Sequence, residues 1–301
     1  MADLIHPQTT LGLVHLTVGD MKRELAFYRE AFGFKVHRTA GDTAFLGGGG
    51  VDVLALTEKP DARRARGTTG LYHFAVLVPS RVELAYSLKR IAETETPVQG
   101  FADHLVSEAI YLADPEGNGI EVYRDRPRSD WYDAQGNFRM GTEELDLRSL
   151  LSELQDRPAQ WNGLDPSTRL GHMHLHVADV RAAGQFYSGV LGFGTMAHWG
   201  SAGFVSAGGY HHHIAFNTWG TLGAPPPPPG SLGLYEFVVQ LPNTEELGKV
   251  LDRVRGANMP VEETEEGLLV RDPSQNALVL TVAPSPQPFP AAGAVSSEVA
   301  K

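Results

Sequence analysis

Apolar and polar residues alternate from Leu11 to Thr17, with Leu11, Leu13, His15 and Thr17 on one face, the period-two pattern of a strand. After a polar break the period changes to that of a helix. In MKRELAFYREAF, Leu25, Tyr28 and Phe32 share one stripe, Asp20 is placed to cap the first turn, and Gly33 to end the last one in a left-handed conformation. Short strands such as DTAFLGGG and VDVLALT follow, separated by Gly and Asp turn signals, so the segment predicts a βαβββ unit. The unit recurs. Residues 11–34 align without gaps with residues 170–193 (LGHMHLHVADVRAAGQFYSGVLGF), and GLYHFAVLVPS matches GLYEFVVQLPN. The closing hairpins ADPEGNGIEVY and RDPSQNALVLTV match as well. Repetition at this scale sets the architecture before any single element does. The expectation is an α+β fold of four βαβββ units paired into two cupped, barrel-like sheets, with two units in residues 10–125 and two in 169–283. Residues 126–168 read as a polar linker with one short helical pattern at 143–154. Pro225 to Pro229 predicts a stiff extended loop, and residues 284–301, which lack periodicity, a disordered tail.

Composition narrows the chemistry. A chain of 301 residues with 42% hydrophobic and 20% charged side chains buries a core of ordinary size without covalent staples. It has no cysteine, which excludes disulfides, zinc-thiolate sites and a thiol nucleophile, so any metal must sit on His and carboxylate side chains. With Lys+Arg 25 against Asp+Glu 36 the net charge is −11, which repels nucleic acid and anionic membrane surfaces. The sequence holds neither a basic leader followed by an apolar run nor 18 consecutive apolar residues, and a cytoplasmic protein is expected.

Four βαβββ units, an opening strand ending in Val-Gly-Asp or Val-Ala-Asp, and a Phe-Tyr pair on the following helix (Phe27-Tyr28, Phe186-Tyr187) resemble the vicinal-oxygen-chelate superfamily of glyoxalases, bleomycin-resistance proteins and extradiol ring-cleaving dioxygenases. The resemblance implies a divalent metal inside one cup, held from the first and last strands of the units. Fold likeness alone does not choose the reaction.

The repeats serve as their own control. A residue that both copies keep is explained by the shared fold, whereas a polar residue facing an apolar twin needs another reason. His15 matches His174, which favours a barrel histidine satisfied by its neighbours. His172 instead faces Leu13, His73 faces Glu236, and Glu121 faces Val279. The set left over is His73, Glu121 and His172: two imidazoles and one carboxylate. Such a facial triad leaves open positions and suits Fe(II), with Mn(II) as the alternative. Because His73 and Glu121 belong to unit two and His172 to unit three, unit two is expected to pair with unit three around the metal. Unit one would pair with unit four around an empty cup, within one chain or by exchange between subunits.

Within the superfamily, further motifs resemble those of extradiol dioxygenases. His211-His212-His213-Ile214-Ala215-Phe216 is similar to a His-His-x-x-Ala-Phe segment, which implies an acid–base role for His212. The run is expected inside a strand, where alternation points His211 and His213 one way and His212 the other. Tyr111-x-x-x-Pro115-x-Gly117-x-x-x-Glu121 matches the run leading into the carboxylate ligand, and His104-x-x-Ser107-x-Ala109 is similar to a segment whose His donates to bound oxygen or substrate. The resemblance implies cleavage of a catechol-type or hydroquinone diol with O2, both oxygen atoms being incorporated; a homo-oligomer is expected because such assemblies are common among soluble proteins. A glyoxalase-like lyase or isomerase is the first alternative. Such sites take four ligands including two carboxylates, where unit one offers Ala55. A non-enzymatic bleomycin-resistance-type binding protein is the second.

Overall fold

In each unit the first strand enters the sheet centre, the helix crosses behind it, and three further strands return beside it. The computed structural model describes residues 4–158 and 161–283. Unit one comprises β1 (Thr10–Val18), α1 (Met21–Phe32), β2 (Lys35–Ala40), β3 (Thr43–Gly47) and β4 (Leu54–Glu58). Unit two comprises β5 (Gly70–Leu77), α2 (Arg81–Glu93), β6 (Val98–Asp103), β7 (Ser107–Ala113) and β8 (Gly119–Asp125). The linker contributes α3 (Leu147–Ser152). Unit three has β9 (Arg169–His176), α4 (Val180–Gly184) continued by a π-helical turn over Gln185–Val190, β10 (Gly194–Trp199), β11 (Ala202–Ser206) and β12 (Ile214–Asn217). Unit four has β13 (Gly233–Leu241), α5 (Thr244–Gly256), β14 (Glu262–Glu263), β15 (Leu268–Arg271) and β16 (Ala277–Val282).

Two eight-stranded sheets result, in the orders β14-β15-β16-β13-β1-β4-β3-β2 and β10-β11-β12-β9-β5-β8-β7-β6. Unit one therefore pairs with unit four, and unit two with unit three, within one chain. The seams are antiparallel: β1 runs against β13 and β5 against β9. Pairing within each unit brings its first strand parallel to its last, as β5 beside β8 and β9 beside β12. First and last strands thus lie side by side at the centre of each cup.

Helices cover the convex faces. In α1 the Asp20 carboxylate accepts from Arg23 N–H, and Gly33 closes the helix at φ 68°, where a side chain would be strained. Tyr28 and Phe32, both fully buried, place that helix against the core that fills the space between the sheets. Among the described residues no helix is long and apolar enough to cross a membrane.

The segment 126–168 is more than a connector. Trp131 is buried and donates its indole N–H to Arg126 O, the helical turn is shorter than the 143–154 pattern, and Glu143 bridges to Asp103 on β6. This strap lays Met140, Gly141 and Thr142 over the mouth of the second cup. The tail expected at 284–301 lies outside the described residues.

Candidate metal centre

His73 stands on β5, Glu121 on β8 and His172 on β9, three strands that are neighbours in one sheet. In the ladders His73 is opposite His174, while Ala75 lies between Glu121 on one side and His172 on the other. Ala75 has almost no side chain, so the flanking groups converge over it. Both imidazole Nε2 atoms lie 3.1 Å from the same Glu121 oxygen, and the three ligand atoms lie within 4.8 Å of one another. All three residues are buried.

Electrostatics gives each group the protonation state that a divalent cation needs. Burial pushes both His73 and His172 below the ordinary imidazole range, only partly opposed by Glu121, which favours neutral rings whose Nε2, bonded to Glu121 here, is able to bind a cation instead. Burial alone would raise Glu121, but His172 and His73 outweigh it and hold the carboxyl well below its usual range. The buried Glu121 carboxylate lies between two imidazoles, and among the described residues His172 Nδ1 has no hydrogen-bond partner. The residues fit a divalent metal bound through His73 and His172 Nε2 and a Glu121 oxygen. The last-strand position of unit three, facing His174, holds Ala215. The lack of a second carboxylate expected at Ala55 is therefore correct in kind but misplaced, since Ala55 belongs to the other sheet.

Tyr111 faces Glu121 across β7 and β8. His104 Nδ1 lies 2.8 Å from Gly141 O and its Nε2 lies 2.7 Å from the Tyr111 hydroxyl. A carbonyl only accepts, so in the neutral ring Nδ1 carries the proton and Tyr111 donates to Nε2. Burial and then the Glu121 charge raise the Tyr111 phenol well above its usual range. The strap thus anchors one end of a Gly141–His104–Tyr111 chain that ends beside the carboxylate ligand.

The triple histidine does not lie in a strand. It forms the turn before β12, so its rings do not alternate between two faces. His212 packs on His172 with ring centroids 4.1 Å apart, and its Nδ1 lies 2.8 Å from His211 Nδ1. His213 turns away, accepts from Ala207 N–H at 3.1 Å, and is held down to about 3, first by burial and then by His211. Burial, then His172 and His211, hold His212 well below the ordinary range.

These groups line a cavity of about 400 Å³ whose remaining wall includes Phe101, Val106, Met140, Trp199, Phe204 and Trp219. Sequence reasoning assigned His174 to the fold because its twin is also His. It does fill that role: Asn217 accepts from Trp219 N–H and donates to His174 Nε2 at 2.8 Å. Yet His174 also lines the cavity beside His73, which the repeat comparison could not reveal.

A family model described as the Glyoxalase/Bleomycin resistance protein/Dioxygenase superfamily matches residues 10–122 and 169–280. The chain belongs to this superfamily. A Bacillus subtilis (strain 168) protein named catechol-2,3-dioxygenase is 45% identical over 284 residues, covering 92% of this chain and 99% of that protein. Two solved structures share the superfamily fold. One is a putative dioxygenase from Bacillus subtilis subsp. subtilis str. 168 (TM-score 0.60, 14% identity, 94% of this chain and 87% of that one). The other is glyoxalase I from Zea mays (TM-score 0.56, 15% identity, 91% and 92%).

Proposed function

We propose that the protein is a cytoplasmic, iron-dependent extradiol ring-cleaving dioxygenase that opens an uncharged catechol-type diol with O2. The observation that carries this reading is the donor set. Two neutral imidazoles and one ionised carboxylate converge on a cavity, with Ala215 where a fourth protein ligand would stand. Three protein ligands leave positions for substrate and dioxygen, the arrangement that suits Fe(II), with Mn(II) also accommodated. The 45% identity to a protein named catechol-2,3-dioxygenase supports the same reaction.

A bound divalent iron would supply coordination for the diol oxygens and for O2, and would lower the pKa of the hydroxyl it takes. The chain's own residues do the rest. His212 is neutral, lines the cavity against His172, and is the group able to take the substrate hydroxyl proton and later return it. Tyr111 stays protonated, and its O–H, which rests on His104 Nε2, is the group that can turn from that acceptor and donate to negative charge developing at the ring oxygens. Met140, Phe204, Trp199 and Trp219 shield that side of the cavity from water. Among the described residues no Lys, Arg or Asp lines it, so a second anionic substituent on the ring would find no partner.

The test is anaerobic reconstitution with Fe(II), then an oxygen-electrode assay over a panel of catechols and hydroquinones. Stoichiometric oxygen uptake with a yellow ring-opened product is expected. Oxygen-independent isomerisation of a thiol adduct with nickel or zinc would replace this reading by a glyoxalase-like one.

A further inference from the structure

Taking His212 as the acid–base residue, as the proposed function does, we propose that Asp125 and His211 are its positioning residues. Together they fix the His212 tautomer with the proton on Nδ1, leaving the Nε2 lone pair for the cavity.

The hydrogen bonds allow one assignment for neutral rings. An ionised carboxylate only accepts. Asp125 Oδ1 lies 3.0 Å from His211 Nε2 and 3.0 Å from the Tyr210 hydroxyl, so His211 carries its proton on Nε2. Its Nδ1 is then a bare lone pair, 2.8 Å from His212 Nδ1, and that contact is a hydrogen bond only if His212 donates. The opposite tautomer of His212 would set two lone pairs against each other. His211 is fully buried against Trp131, Tyr210 and Tyr123, and the Tyr123 hydroxyl, donating to the Tyr210 oxygen at 2.7 Å, holds Tyr210 in place, so the ring has no room to turn.

The anchor and the metal site share one element, for Asp125 ends the strand that carries Glu121. Placement of the ligand therefore also places the carboxylate that orients the base. In the other sheet the corresponding turn holds Val51 and Asp52, and Asp52 bonds His37 Nδ1 at 2.7 Å instead. The Asp125–His211–His212 chain is thus absent from the cup that lacks the triad. A base whose wrong nitrogen is protonated presents an N–H to the hydroxyl it should deprotonate, and loss of an outer partner of this kind costs roughly 10–100-fold.

The experiment is nitrogen-15 NMR of the histidines in the full-length protein, metal-free and with zinc in place of iron, on wild type, His211→Phe and Asp125→Leu. Expected is a protonated Nδ1 and bare Nε2 at His212 in the wild type, and a mixed or reversed tautomer in both variants. In the iron-loaded enzyme kcat should fall about 10–100-fold with KM and iron content nearly unchanged, and His211→Gln, which can still accept at that position, should recover part of it. A protonated Nε2 in the wild type, or variants that keep the wild-type tautomer, would overturn the proposal. The part-exposed Asp125 provides the second variant should the buried His211→Phe fail to fold. Expected tautomers without oxygen uptake from any diol would remove the dioxygenase reading and leave the positioning intact, while ring cleavage with a reversed tautomer would do the opposite.

Discussion

The two sheets are made from the same unit in the same order, and they differ at a handful of ladder positions. Where the second cup has His73, His172, Glu121 and Tyr111, the first has Glu236, Leu13, Val279 and Leu269. The pairing is preserved: Leu269 faces Val279 as Tyr111 faces Glu121. Leu13, Val238, Leu269, Ala277 and Val279 then form an apolar cluster where the second cup has its polar set. One shared polar position is kept. His15 and His174 match, and both use Nε2 toward the last strand of their own unit, on Thr57 and Asn217. The comparison teaches that the curved sheet supplies a bowl with paired central positions, and that side chains there decide whether its centre is an apolar cluster or a set of metal-ligating groups.

The sharpest way to break the comparison is to give the second cup the residues of the first. Glu121→Val with His172→Leu should abolish metal binding and lower oxygen uptake by far more than the roughly 10–100-fold that loss of an outer partner costs. Iron content and an oxygen electrode measure this, with circular dichroism confirming that the sheets persist. Retained iron and activity would remove the triad from the mechanism. Next in size is Tyr111→Leu, which copies Leu269 without touching a ligand. Here kcat should fall about 10²-fold, at the low end of what acid–base groups contribute, while iron stoichiometry holds. An equal loss of iron would mean that Tyr111 only supports Glu121.

How far the sequence alone reaches follows from the same duplication. The unit order, the cross-pairing of units two and three, and the His73–Glu121–His172 set were legible because each could be read against an internal twin. The Asp20 cap and the Gly33 stop followed from local chemistry. Groups that act through space were not legible. Asp125 meets His211 from 86 positions away, and Gly141 reaches His104 from the linker, so no periodicity or spacing reports either contact. The triple histidine was misread for a different reason. A run of like residues beside a strand carries no turn signal of its own, and the turn is set instead by Gly208 and Gly209, just after β11, with φ of 58° and 66°.

The smallest expected effect lies outside both cups and separates the two halves of the comparison by charge. On α1, Glu24 is fully buried with no hydrogen-bond partner for either oxygen, and the equivalent position in unit three is Ala183. Burial pushes its carboxyl up to about 9, and the nearby Asp114, Glu116 and Asp20 add to this against a single opposing cation, Arg23, at 3.8 Å. The native chain therefore keeps a proton that the unfolded chain gives up near pH 4.5. The contribution of Glu24 to stability is greatest below that value, falls as pH rises toward about 9, and falls no further once the native state also releases the proton. Glu24→Gln cannot ionise, so its melting temperature should match the wild type near pH 4.5 and exceed it increasingly up to about pH 9, where at roughly 2–4 °C per kcal/mol the gap reaches several degrees. Thermal melts by circular dichroism at three pH values test this, and a gap that stays constant with pH would show that Glu24 is ionised in the fold. Activity should not change, since Glu24 lines no part of the cavity beside the triad.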